Sequence, residues 1–63
     1  LSKTDKRIIE LLSENGPLTL AEISERLEMK PKAVFRALRR LFEKGVISSD
    51  PATRRYFIEN DEQ

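Results

Sequence analysis

The 63-residue sequence has no cysteine, no histidine and no tryptophan. Without cysteine there is no disulfide framework and no thiol chemistry, and a zinc site would need oxygen ligands alone, which zinc rarely accepts. Without histidine, a histidine-based catalytic triad is excluded. Glycine is confined to Gly16 and Gly45, so no glycine-rich loop is present to cradle a phosphate. No apolar run is longer than three residues, as in Tyr56-Phe57-Ile58. A membrane span needs ~20 such residues and a signal peptide ~7–15, so neither is expected. The lack of cysteine fits a reducing compartment, and a cytoplasmic location is the expectation. A chain this short buries only ~60% of the surface its unfolded form exposes, which allows one domain with a small core. Residue 1 is Leu, and the chain is expected to be one domain of a longer protein.

What the sequence does have is charge, on 37% of its residues against ~25% in an average soluble protein. The net charge of +1 hides where those charges lie. Residues 1–29 carry four basic and six acidic side chains, residues 30–58 carry eight basic and two acidic, and residues 59–63 carry three acidic and no basic. A basic half next to an acidic one is an electrostatic footprint for a polyanion.

Helical spacing of Ile8, Leu11 and Leu12 predicts a first helix from about Lys3 to Glu14, capped by Ser2 or Thr4 and ended by Asn15-Gly16-Pro17. Leu18 reads as a short extended link. Thr19-Leu20-Ala21-Glu22 has capping-box spacing and opens a second helix that ends near Leu27, with Leu20, Ile23 and Leu27 on one face. Pro31 suits the first position of a third helix running to Lys44, which Gly45 ends. Beyond it, Val46-Ile47 and Tyr56-Phe57-Ile58 are β-prone runs around an Asp50-Pro51 turn. The predicted fold is mostly α with a small two-stranded β-hairpin over residues 1–59, followed by a disordered acidic tail at 60–63.

The third helix carries the functional signal. At ~100° per residue, Val34, Ala37, Leu38 and Leu41 share one face, Lys32, Arg36 and Arg39 lie opposite, and Arg40 sits at the edge. An exposed helix fits the DNA major groove, and its first turns point at base edges. Lys32, Ala33 and Arg36 are therefore candidate base contacts, and Lys30, Arg39 and Arg40 candidate phosphate contacts. A charged outer face is usually no more than solvated, but here it is nearly all of one sign and a basic hairpin follows. Arg54 is expected to reach the flanking minor groove or backbone. For Arg55, contact and a merely solubilising role stand level. Phe42 is expected to pack under the hairpin. Three readings of Phe35 stay open: a half-buried core edge, a thymine-methyl contact, or a protein interface.

Paired carboxylates such as Glu22 with Glu25, and Glu25 with Glu28, fall on the polar face of the second helix. A catalytic pair needs a cleft and shifted pKa values. Neither Tyr56 nor any serine has a base to activate it. No enzymatic activity, cofactor or metal site is expected.

Asp5, Ile8, Ile9, Leu12, Gly16, Leu18, Thr19, Leu20, Glu22, Ile23, Leu27, Val34, Arg36, Leu38, Leu41, Gly45, Val46 and Ile47 follow a pattern that resembles the winged helix-turn-helix domains of prokaryotic transcriptional regulators. The helical part looks most like leucine-responsive (Lrp/AsnC-type) regulators. The hairpin Asp50-Pro51-Ala52-Thr53-Arg54-Arg55-Tyr56 is more similar to the wing of MarR-type regulators. The resemblance implies a three-helix winged helix-turn-helix that binds double-stranded DNA, with a recognition helix at about 31–44 and a wing at about 48–55. A lone module of this size buries only ~600–1,000 Å² on DNA, so a homodimer formed through parts outside this chain is expected. The sequence departs from the family at Glu28, where Gly is common, at Lys30, where Ser or Thr is common, and at Phe35, where a polar DNA-facing residue is common. Glu28 should then hold a strained turn. The alternative function is a protein-interaction winged helix of a replication, transcription or membrane-remodelling complex, with Phe35 facing the partner.

Overall fold

A computed structural model describes residues 1–59; the predicted acidic tail at 60–63 lies outside the described residues. Helix α1 spans Lys3–Asn15. The Asp5 amide donates to the Ser2 hydroxyl at 3.0 Å, which makes Ser2 the cap. Gly16 ends the helix at φ 76°, a left-handed backbone that a side chain would strain.

Helix α2 spans Leu20–Leu27. Its capping box is complete: the Glu22 amide donates to Thr19 Oγ1 at 3.2 Å, and the Thr19 amide donates to Glu22 Oε1 at 2.9 Å. Helix α2 ends at Glu28, whose φ of 56° and ψ of 46° are left-handed. This is the strained turn expected there, and it costs ~1 kcal/mol. Met29 then donates its amide to the Ser24 carbonyl at 3.0 Å. Helix α3 spans Pro31–Glu43 with Pro in its first turn.

The β structure is larger than the hairpin expected. Strands β1 (Leu18–Thr19), β2 (Ile47–Asp50) and β3 (Arg55–Ile58) form an antiparallel sheet in the order β1-β3-β2. Leu18, read as a link, pairs with Tyr56, and Thr19 pairs with Arg55. Two residues are too few to show the alternation that marks a strand, so their pairing is visible only once β3 lies beside them. The hairpin loop closes through the Arg54 amide on the Asp50 carbonyl at 2.6 Å and the Ala52 amide on Asp50 Oδ1 at 3.0 Å.

One core joins all three helices and the sheet: Ile8, Leu12, Leu18, Ile23, Leu27, Val34, Ala37, Leu38, Leu41 and Ile47 are buried. Tyr56 and Ile58 close it from β3. Phe42 faces the hairpin but is only half covered by it, at 49% exposed. Facing it, β2 offers Ser49 and no large apolar side chain, so a groove of about 390 Å³ stays open between α3 and the sheet.

Candidate nucleic-acid interface

The burial of Val34, Ala37, Leu38 and Leu41 fixes how α3 is rotated. Lys32, Ala33, Phe35, Arg36, Arg39 and Arg40 are all exposed as a result, as is Lys30 at the N-cap. Among the described residues, the side chains of Lys30, Lys32 and Arg36 donate no hydrogen bond to protein. They present solvated cations along the first turns of the helix. Arg39 meets Glu43 at 3.5 Å, with both side chains about two-thirds exposed (68% and 67%). Such a pair is worth ~0.3–0.5 kcal/mol and does not immobilise Arg39.

Arg40 has a different setting from the rest of the basic face. Its guanidinium donates to Asp5 Oδ1 at 2.8 Å, and Asp5 is only 2% exposed. Burial pushes the Asp5 carboxyl up, but the Arg40 hydrogen bond and charge, with the Ser2 hydroxyl and amide, outweigh it and hold the carboxyl below the ordinary aspartate value. Arg40, expected as a phosphate ligand, also ties α3 to α1, while its side chain stays half-exposed.

Arg55 is likewise engaged. It donates to Glu22 Oε1 at 3.0 Å and to the Pro17 carbonyl at 3.4 Å. Glu22 is held ionised chiefly by the Thr19 backbone amide, and Arg55 adds to this effect. One carboxylate thus both caps α2 and anchors β3. Of the two roles weighed for Arg55, the geometry adds a third, that of tethering the wing.

Arg54 stands at the wing tip with φ 61°, exposed and away from these tethers. Thr53 and Arg54, the α2 start at Thr19 to Ala21, and Phe35 border a groove of about 520 Å³. The wing tip, the N-terminus of α2 and the first half of α3 therefore converge on one side of the molecule.

Sequence reasoning missed Asp5 and Glu22 as organisers of this surface. A signal for Asp5 was present, because residues 5, 8 and 12 share the apolar face of α1 at helical spacing. An acid on a core-facing stripe asks for a cation, and Arg40 is at the edge of the helix packed against it. Among the described residues there is no group of three or more acids that could hold a metal ion, and no helix is long and apolar enough to cross a membrane.

Similar proteins fit this geometry. Residues 1–48 match the family described as winged helix-turn-helix DNA-binding. The chain is 39% identical over 51 residues to the HTH-type transcriptional regulator BhcR of Paracoccus denitrificans (strain Pd 1222), which covers 81% of this chain and 18% of that protein. A crystal structure of an IclR transcriptional regulator from Alicyclobacillus acidocaldarius aligns with a TM-score of 0.86 at 36% identity, over 90% of this chain and 24% of that one. This chain thus spans a quarter or less of the length of either relative. The solved relative carries the IclR name, distinct from the Lrp/AsnC and MarR likenesses of the sequence. Three helices, a three-stranded sheet with an exposed wing, and a family match over most of the chain lead to one conclusion: the chain belongs to the winged helix-turn-helix DNA-binding family.

Proposed function

We propose that the domain binds double-stranded DNA with α3 in the major groove and the 51–54 wing tip against the flanking backbone or minor groove. In this reading it is the DNA-binding part of a cytoplasmic transcriptional regulator. The observation that carries it is the segregation on α3: Lys32, Arg36 and Arg39 are exposed opposite a fully buried Val34–Leu38–Leu41 stripe, and Arg54 stands on the same side. Lys32, Ala33 and Arg36 address base edges. Lys30, Arg39 and Arg54 address phosphates. Arg40 and Arg55 act behind them, through Asp5 and Glu22.

A single module of this size buries only ~600–1,000 Å² of protein surface on DNA. Tight binding therefore calls for a second copy, joined through parts of the protein beyond this chain, as the short coverage of both relatives supports. The experiment is a titration of a mixed-sequence duplex into labelled protein, repeated with Arg36→Ala plus Arg39→Ala. Loss of binding in a folded double variant is the expected result; unchanged binding contradicts the reading. One observation favours a protein-interaction role instead, namely that Phe35 and Phe42 are 44% and 49% exposed. That role requires no DNA binding by the parent and self-association that Phe35→Ala removes.

A further inference from the structure

Phe35 is out of character with its surroundings. It is the fifth residue of α3, within the turns that enter the groove, yet its ring is 44% exposed. Lys32 lies three residues before it and Arg39 four residues after, so both are its neighbours on the helix surface. Arg36 follows it directly. The other flank of the ring borders the groove that leads to Thr53 and Arg54 at the wing tip. Core packing does not account for this position, since the apolar stripe is already complete in Val34, Leu38 and Leu41.

The cations around the ring narrow down its partner. The centre of a protein interface is depleted in charge, lysine especially, so a protein docked on Phe35 would have to desolvate Lys32 and two arginines. DNA neutralises those same charges with phosphates. Within the major groove a phenyl ring can make no hydrogen bond. The base edges offer it one apolar group, the C5 methyl of thymine. Phe42 lines a groove together with Phe35 and is similarly exposed, but it stands at the far end of it. It lies seven residues on, ~10 Å further along the helix axis, beside the Glu43 carboxylate, which repels phosphate.

Resting on the DNA-binding reading above, we infer that Phe35 is a specificity-determining residue that reads a thymine methyl next to the base pair addressed by Arg36. The preferred sites of this domain then contain a fixed thymine that hydrogen-bonding side chains alone do not explain.

The test separates this inference from the DNA-binding reading itself. Duplexes are enriched from a random pool by the parent protein and by Phe35→Ala. The parent enriches one invariant thymine, and Phe35→Ala loses it while keeping the other fixed positions. That thymine is then replaced by deoxyuridine, which removes only the methyl group. The parent weakens about fourfold, the worth of one methyl group removed from water, and Phe35→Ala does not change. Because the second step alters the DNA, it is independent of how the variant folds. Salt-sensitive binding by the parent with equal affinity for thymine and deoxyuridine, or with no base preference, overturns the Phe35 inference and leaves DNA binding standing. No salt-sensitive binding at all overturns both. Self-association that Phe35→Ala abolishes, with base preference unchanged, assigns the ring to a protein contact and also overturns the inference.

Discussion

Asp5 and Arg40 show how one pair of side chains ties two helices together across a core that already fixes their faces. Asp5 is buried; its amide donates to the Ser2 hydroxyl, and its carboxylate accepts from Arg40, whose charge compensates it. Arg40→Ala leaves the carboxylate buried without its cation and should lower stability by about 1–3 kcal/mol, read from urea denaturation. The folded-state value of Asp5 lies below the ordinary 3.8. Folding therefore favours the ionised form: the stabilisation is complete above the ordinary value and is lost as pH falls through the folded one. Unfolding below about pH 4 should be steeper in the parent than in Asp5→Asn, monitored by circular dichroism. Glu43 acts on the other edge of α3. It holds Arg39 loosely and is the only acid on the helix. Glu43→Gln should tighten DNA binding by about two- to fivefold at low salt, since it releases Arg39 and removes a charge that repels phosphate. Equal affinity would show that the C-terminal turn of α3 lies away from the DNA.

At the scale of elements, the three helices were legible because each carries its own signals. The capping box at Thr19 and Glu22, Pro31 at the start of α3 and the glycines at 16 and 45 are local, and the structure uses every one of them. The rest depends on partners distant in sequence. Strand β1 exists because Tyr56 and Arg55 lie beside Leu18 and Thr19. The tether of the wing through Arg55 and Glu22 joins residues 33 positions apart, and the Asp5–Arg40 pair joins residues 35 apart. Phe42 was expected to pack under the hairpin, yet the small Ser49 opposite leaves it half-exposed. For the candidate site, the basic face of α3 was readable from spacing, whereas the pairing of Arg40 with Asp5 and of Arg55 with Glu22 was not. Two strained links also separate in their effects. Glu28→Gly should raise stability by up to about 1 kcal/mol without changing DNA affinity, because it relieves a left-handed backbone at a turn. Arg54→Gly should relieve similar strain but weaken DNA binding, because it removes the wing-tip cation. Thermal denaturation paired with a binding titration distinguishes the two.

The whole molecule measures 34 × 27 × 21 Å, and one turn of DNA is ~34–36 Å long. The acidic residues of the first 29 positions and the basic residues of the next 29 lie in a net charge of only +1. Attraction to DNA must therefore come from one side of the molecule. With Arg40 paired to Asp5 and Arg55 to Glu22, the proposed reading has one domain neutralise about four phosphates. The most direct measurement is the affinity of the domain for a duplex across ~50 to ~200 mM salt. The account predicts that log K falls against log salt with a slope near −3.6, more than a hundredfold over that range, and that Arg36→Ala plus Arg39→Ala flattens it by about one unit for each phosphate no longer neutralised. A salt-independent affinity, or a slope that the double variant leaves unchanged, would contradict it.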